Sequence, residues 1–239
     1  MSFSQGQFPS QYKIAQITPL LKKPTLNPDD TSSYRPISNL HTISKILERL
    51  ALHRLQPHVT GSNNFNPLQS AYKKHHSTET SLLNALSDIY KAIDSDQSTL
   101  LVSLGLSAAF DTVPHDILLS RFQQSFGITD IALKWIKSYL SSRSQFVCIS
   151  GHKSSTLSLT SGVPQGSVLG PLLFAAFTSP ISSVVSSYGL SQQQYADDTQ
   201  VYVTLQKSNQ NASLNSIQNC LSTLYSWYTQ NGPSINPIV

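Results

Sequence analysis

Two adjacent carboxylates, Asp197 and Asp198, follow Tyr195 and Ala196 and precede a β-branched and aromatic run. That run is typical of a strand, so the acids are predicted to lie at the tip of a β-hairpin. Adjacent carboxylates repel each other unless a cation lies nearby, and hard carboxylate oxygens are the ligands that Mg²⁺ prefers. The pair therefore indicates a divalent-metal site, with a solvated Asp-Asp turn as the simpler interpretation.

A second motif lies upstream, where a loop rich in Gly, Pro and Gln begins at Ser161 and an apolar run of helical length follows it. Glycines let the backbone approach a ligand closely, and the amino end of a helix favours anionic groups. The motif therefore indicates a loop that positions a phosphate-bearing ligand. An ordinary loop before a buried helix is the alternative.

Taken together, the two motifs closely resemble the reverse transcriptases of non-LTR (LINE-type) retrotransposons. The resemblance extends over six blocks in the family's order, at residues 13–23, 34–48, 69–80, 104–115, 162–174 and 195–198. It implies an α+β fold of the right-hand polymerase type, in which helices pack on an antiparallel palm sheet. It also implies fingers at residues 1–95 and an incomplete palm at 96–239, which together form one reverse transcriptase domain.

One position departs from the family's pattern. The family reads Leu-Asp-Leu-Ser-Ala-Ala-Phe-Asp where this chain has Gly105 in place of the first aspartate, which is the metal-bridging one. The resemblance implies two Mg²⁺ ions held by that aspartate together with Asp197 and Asp198, and nucleotidyl transfer takes its two ions about 3.5–4 Å apart. A bridging carboxylate contributes several kcal/mol, and each ~1.4 kcal/mol is tenfold in rate. We therefore expect activity lowered by several orders of magnitude, or absent.

Asp111 is the other aspartate of the same motif, six residues after Gly105. The family has an aspartate there in addition to the catalytic one. For Asp111 to replace the missing ligand the backbone would have to move, and a reacting site tolerates little misplacement. We therefore expect no rescue by Asp111.

The resemblance also assigns nucleotide-binding residues. Phe110 stands where the family places an aromatic ring that excludes the ribose 2′-hydroxyl; an ordinary core phenylalanine is the alternative. Gln165 and Gly166 match positions that contact the incoming nucleotide and the template backbone. The candidate cations for the triphosphate or template are Arg35, Lys73 and Lys74, for each of which a solvated surface residue is the alternative.

The composition agrees with a polyanionic partner, since the net charge is +4 and the pI is about 9.0. Charged residues make up 12% of the chain, against roughly 25% in typical soluble domains, which indicates either poor solubility of the chain alone or surfaces that neighbouring parts cover. The two cysteines have no metal-ligand spacing, and no apolar run reaches about 18 residues. We expect an intracellular protein without a secretory leader or a membrane span, and the family implies a nuclear location.

Hydrophobic periodicity predicts the elements that position these motifs. Helices are predicted at residues 43–58, 79–95, 116–125, 130–141, 169–187 with a break at Pro180, and 212–228. Residues 99–106 are predicted to be a strand of a buried sheet, and residues 145–150 and 155–160 a hairpin. The catalytic hairpin is expected between the last two helices.

Two functional hypotheses follow. One is an RNA-directed DNA polymerase domain of a retrotransposon, with impaired catalysis, that uses deoxynucleoside triphosphates and an RNA or DNA primer–template. The other is an inactive truncated remnant that retains at most nucleic-acid binding. The family continues beyond the Asn231-Gly232 pair into a Lys-Thr-Glu segment and a thumb, and we expect this chain to lack both. Gly105 and that expected truncation favour the remnant.

Overall fold

The structure, a computed structural model, describes residues 2–73, 75–206 and 209–236. Its helices are α1 (Thr42–Thr60), α2 (Thr78–Asp94), α3 (His115–Gln124), α4 (Asp130–Leu140), α5 (Gly170–Thr178), α6 (Ile181–Ser187) and α7 (Gln210–Asn231). Its strands are β1 (Ile14–Leu21), β2 (Tyr34–Asn39), β3 (Ser98–Leu104), β4 (Leu106–Ser107), β5 (Arg143–Ile149), β6 (His152–Lys153), β7 (Leu157–Leu159), β8 (Ser191–Tyr195), β9 (Asp198–Leu205) and β10 (Ser234–Ile235). The predicted helices are confirmed, including the break at Pro180 between α5 and α6.

The chain divides into two compact units, one of residues 1–60 and 110–173 and the other of residues 61–109 and 174–239. This division does not follow the expected boundary at residue 95, because β1 pairs in parallel with β5 and so draws the amino-terminal strand into a sheet with residues 143–159. The assignment of fingers to residues 1–95 and palm to residues 96–239 remains a prediction.

The first unit contains a sheet in the order β2-β1-β5-β6, with β7 also paired to β5. The antiparallel pairing of β5 with β6 and β7 confirms the hairpin predicted there. Aromatic residues of α4 form part of the core: the ring of Phe8 lies 5.5 Å from that of Trp135 and 5.1 Å from that of Tyr139.

The second unit contains the antiparallel sheet β3-β9-β8, and α7 packs against β9. Val201, Leu224 and Tyr228 are buried between them. The amino end of α2 is fixed by a capping box, in which Ser77 Oγ accepts the Thr80 N–H and Thr80 Oγ1 accepts the Ser77 N–H. This unit is therefore an antiparallel sheet with packed helices.

The large apolar residues in the first half of α1 and on α2 do not face the core, in contrast to the usual interpretation of such stripes. Helix α1 leaves Ile46 and Leu50 exposed and buries Ser44, Glu48, Ala51, Leu55 and Val59. Helix α2 leaves Leu82, Leu83 and Ile93 exposed and buries Ser81, Ala85 and Ala92. The small residues of α2 allow close packing, which leaves its large side chains on the outer face.

The strand predicted at residues 99–106 is present as β3, but the expectation of a buried sheet holds only in part. Strand β3 ends at Leu104, which is buried, but Leu101 is 37% exposed. Within the described residues, no helix is both long and apolar enough to span a bilayer.

Candidate active site

The two aspartates lie at the tip of the β8–β9 hairpin, as predicted. Tyr195 pairs with Asp198, so Ala196 and Asp197 form a two-residue turn and Asp198 opens β9. Ala196 has φ +55° and is the residue of the turn with positive φ. A positive φ at the first central residue is typical of the type II′ turn, which matches the twist of a hairpin. The turn therefore presents two consecutive carboxylates at one end of the sheet.

Strand β3 runs beside β9 and brings position 105 to the same end of the sheet. Leu104 pairs with Thr199, so the register continued by one residue sets Gly105 opposite Asp198. Side chains directly opposite in an antiparallel pair lie about 5 Å apart at Cβ. A carboxylate at residue 105 would therefore stand beside that of Asp198, and glycine supplies none.

The charges of the turn act on each other and on a nearby phenol. Partial burial raises the pKa of Asp198, and the Asp197 charge raises it further. Burial, Asp197 and Tyr195 together raise the pKa of the Tyr72 phenol. Both shifts have the direction expected where negative charge accumulates without a compensating cation.

The donors present do not complete a two-ion site. No group of three or more His, Cys, Asp or Glu side chains within the described residues is placed to hold a metal ion. Asp111 belongs to the first compact unit, whereas Asp197 and Asp198 belong to the second. Burial raises the pKa of Asp111, which favours its neutral form rather than an ionised ligand.

The Gly-Pro-Gln loop is fixed to the segment around Phe110 by main-chain bonds. The Val163 N–H donates to the Phe110 carbonyl over 2.8 Å, and His115 Nε2 hydrogen-bonds the Gly162 carbonyl over 2.7 Å. A Cβ atom on Gly162, whose φ is +85°, would lie 2.7 Å from the carbonyl oxygen of Asp111. Glycine is required there because the two backbones touch.

The two loop residues predicted to contact the nucleotide and template, Gln165 and Gly166, lie against Ser38 of β2. The Gln165 carbonyl accepts the Ser38 N–H over 2.8 Å, and the Gly166 Cβ position lies 3.1 Å from the Ser38 carbonyl oxygen. Gly166 is exposed and Gln165 half-buried. Phe110 is half-buried as well, so the structure does not place it in the core. All these residues belong to the first unit.

Glu48 is a residue of this site that the sequence interpretation missed. It is fully buried, and its Oε2 accepts the N–H groups of Val168 and Leu169 at 2.7 and 3.2 Å just before α5, while its Oε1 accepts the Ser44 hydroxyl. Glu48 thus supplies a carboxylate to the amino end of α5, while the prediction that the loop positions a phosphate-bearing ligand stays a prediction. The sequence gives no signal for this role, because hydrophobic periodicity does not show which face of α1 is buried.

The candidate cations differ in their surroundings. Lys73 Nζ donates to the Pro67 carbonyl over 3.0 Å and lies 5.4 Å from the centre of the Phe65 ring, and burial lowers its pKa. Arg35 is exposed on β2 opposite Leu20. Lys74 lies outside the described residues. Lys73 is engaged within its own segment, so a role in phosphate binding would require it to leave these contacts.

Known structures share the fold. Apo telomerase of Candida tropicalis, truncated from the C-terminal domain, superposes with a TM-score of 0.65 at 12% identity, over 95% of this chain and 49% of that one. Telomerase of the same organism in complex with a TWJ fragment of telomeric RNA gives a TM-score of 0.65 at 11% identity, over 96% and 41% of the two chains. The α+β fold is thus that of telomerase structures.

Sequence relatives identify the family. A probable RNA-directed DNA polymerase from transposon BS of Drosophila melanogaster is 32% identical over 96% of this chain and 25% of its own length. The RNA-directed DNA polymerase from mobile element jockey of the same fly is 32% identical over 93% and 24%. The chain thus spans about a quarter of these curated relatives. Residues 21–238 match the reverse transcriptase (RNA-dependent DNA polymerase) family, and the chain belongs to that family.

Proposed function

We propose that this chain is the reverse transcriptase domain of a LINE-type retrotransposon, in which nucleotidyl transfer is impaired because residue 105 supplies no carboxylate. The observation that supports the proposal is the pairing of Leu104 with Thr199 in β3 and β9, a register that would bring Gly105 opposite Asp198 if it continued by one residue. The fold and the family support the proposed polymerase activity. The missing carboxylate ligand at residue 105 is the proposed reason for its impairment.

The proposed ligands of Mg²⁺ are Asp197 and Asp198. When bound, the two ions of the family would activate the primer 3′-hydroxyl and stabilise the leaving pyrophosphate. The residues present do not make up that ligand set, so we expect this chain to hold at most a weakened metal site. Loss of several kcal/mol of charge stabilisation corresponds to a rate lower by several powers of ten.

The proposed substrates are deoxynucleoside triphosphates and a primed RNA or DNA template. Phe110 is the proposed gate against the ribose 2′-hydroxyl, and Gln165 and Gly166 are the proposed contacts to nucleotide and template. The loop that carries them is held by hydrogen bonds to Phe110 and Ser38, which supports a fixed rather than an adaptable surface. Arg35, Lys73 and Lys74 remain proposed phosphate contacts.

The alternative is a remnant that binds nucleic acid without catalysis, and Gly105 favours it as well. The test is primer extension on an RNA template with Mg²⁺, comparing the chain as given with Gly105→Asp. Gly105→Asn is the matched control, since it has the same size without the charge. Gly105→Asp combined with Asp197→Ala shows whether any extension depends on the hairpin.

Extension by Gly105→Asp alone would support an intact fold silenced by one missing carboxylate. Equal extension by the chain as given would refute the impairment. If no variant extends but all bind primer–template with an affinity that falls with salt, the binding remnant is the better description, because phosphate contacts release counterions. If none binds, both functions are wrong.

A further inference from the structure

The hairpin that carries the two aspartates contains a backbone conformation that alanine rarely adopts. Ala196 has φ +55°, in the left-handed region where a Cβ atom crowds the following carbonyl. Glycine is the residue that II′ turns prefer at this position. Surrounding contacts must therefore hold Ala196 in place, since strained backbone persists only where neighbours determine it.

The side chain of Gln69 makes those contacts. Its Oε1 accepts the Ala196 N–H over 3.0 Å, and its Nε2 donates to the Ala196 carbonyl, also over 3.0 Å. One amide thus binds both main-chain polar groups of the strained residue, as a neighbouring strand would. The two bonds set the orientation of the peptide units on either side of Ala196, and the second of these units leads into Asp197.

Gln69 is itself held rigidly. It is 1% exposed, and its Oε1 also accepts the Ala71 N–H over 3.1 Å. Its main chain forms a parallel bridge with Gln194 of β8, through the bonds from Ser70 N–H to the Gln194 carbonyl and from Gln194 N–H to the Leu68 carbonyl. The amide that binds Ala196 is therefore fixed to the same strand that leads to the turn.

A second glutamine provides a comparison within the same structure. Gln193 Nε2 donates to the Leu68 carbonyl over 3.0 Å and to Ser70 Oγ over 2.6 Å. Like Gln69, it is buried and joins residues 68–70 to β8. Two residues, Gln194 and Tyr195, separate Gln193 from the turn. Gln193 therefore stabilises the junction between residues 68–70 and β8 without a hydrogen bond to Ala196.

We propose that Gln69 is a positioning residue for catalysis: it holds Ala196 in the left-handed conformation and thereby fixes the direction of the Asp197 and Asp198 carboxylates. The proposal rests on the proposed nucleotidyl-transfer function, and it adds a role for the glutamine that opens the block at residues 69–80. A glutamine with a purely structural role would only stabilise the junction between residues 68–70 and β8, as Gln193 does. A substitution in the turn, such as Ala196→Gly, would then not restore what its removal takes away.

The first test is amide hydrogen exchange of residue 196, followed by NMR in the full chain. Gln69→Ala is expected to accelerate this exchange by about tenfold or more, because the N–H loses its acceptor while the fold is retained. Gln193→Ala, the matched control, is expected to leave it within about threefold. Equal acceleration by the two variants would overturn the proposal, because the effect would then belong to the junction as a whole.

The second test is primer extension in the Gly105→Asp background. Gln69→Ala is expected to lower kcat by about tenfold or more and to leave the KM for the nucleotide within about threefold, since misdirected carboxylates affect the transition state. Adding Ala196→Gly is expected to restore most of the kcat, because glycine adopts positive φ without strain. The same change is expected not to rescue Gln193→Ala.

The two tests separate failure of the inference from failure of the proposed function. If Gly105→Asp does not extend primers, the proposed function fails, and amide exchange at residue 196 still decides whether Gln69 holds the turn. If Gly105→Asp extends but Ala196→Gly does not relieve the Gln69→Ala defect, positioning through Ala196 is wrong.

Discussion

The side-chain nitrogen of Asn236 lies 3.2 Å from the point that a Cβ atom on residue 105 would occupy. The Asn236 main-chain N–H also donates to the Gly105 carbonyl over 2.9 Å, and its side-chain oxygen accepts the Ser107 hydroxyl. The space of the missing side chain is therefore bordered by the end of a flexible amide. The φ of Gly105 lies outside the left-handed region, so an aspartate at this position needs only a small shift of that amide.

From this relationship we predict that Gly105→Asp folds and gains a response to Mg²⁺. Without divalent ions its free energy of unfolding should fall by about 1 kcal/mol, since a third carboxylate joins Asp197 and Asp198. Mg²⁺ at ten times its dissociation constant should restore about 1.4 kcal/mol by preferential binding to the folded state. Thermal unfolding with and without Mg²⁺ measures both effects. Gly105→Asn should show neither, and an equal Mg²⁺ response in the chain as given would contradict the prediction.

Glu48 provides a prediction about the loop that precedes α5. Glu48→Ala leaves the N–H groups of Val168 and Leu169 without their acceptor in a buried place, and each such group costs about 1–3 kcal/mol. We expect a loss of about 2–5 kcal/mol in urea unfolding. Glu48→Gln keeps an acceptor for these groups and should lose less than half as much. Arg49→Ala, on the exposed side of the same helix, should be within about 0.5 kcal/mol of the parent.

Glu48 also shows where sequence interpretation reaches its limit. Its helix was predicted, and its motif was recognised, because both depend on residues close in the chain. Its partners lie 120 residues away, and no local pattern specifies them. The same limit applies to the exposed apolar residues of α1 and α2. Periodicity predicts that a helix has two faces, whereas the neighbouring elements decide which face is buried.

The catalytic hairpin, in contrast, was predictable in position and type. Tyr195-Ala196-Asp197-Asp198 lies between two runs that form strands, and hairpin formation is a local event. What the sequence did not reveal is that Ala196 adopts positive φ and that Gln69 holds it there. An alanine at this position gives no signal of its own, since glycine or asparagine is the residue that marks such turns.

Alanine substitutions at Gly162 and Gly151 distinguish the cost of backbone strain from the cost of close packing. Their φ values are +85° and +83°, but a Cβ atom on Gly162 would meet the Asp111 backbone at 2.7 Å, whereas one on Gly151 would meet nothing within 4 Å. Gly151→Ala should therefore cost about 1–2 kcal/mol from conformation alone. Gly162→Ala should cost about 2–5 kcal/mol, because overpacking adds to the same strain. Denaturant unfolding measures the loss of unfolding free energy in both variants. Equal losses would show that the loop around Gly162 can shift away from Asp111 at little cost.

The Asp88 carboxylate gives a pH-dependent prediction for the contact of α2 with the sheet. Lys91 donates to it over 3.0 Å and the Tyr202 hydroxyl over 3.0 Å, and these bonds hold the pKa of Asp88 below its usual value of 3.8. A lowered pKa contributes stability that is present above the unfolded value and is lost as the pH falls through the folded one. At pH 7, Asp88→Asn should lower the free energy of unfolding by less than about 1 kcal/mol, because solvent screens this largely exposed group. The difference from the parent should close as the pH falls below about 4. A difference that stays constant down to about pH 2.5 would mean that the carboxylate charge does not stabilise this contact.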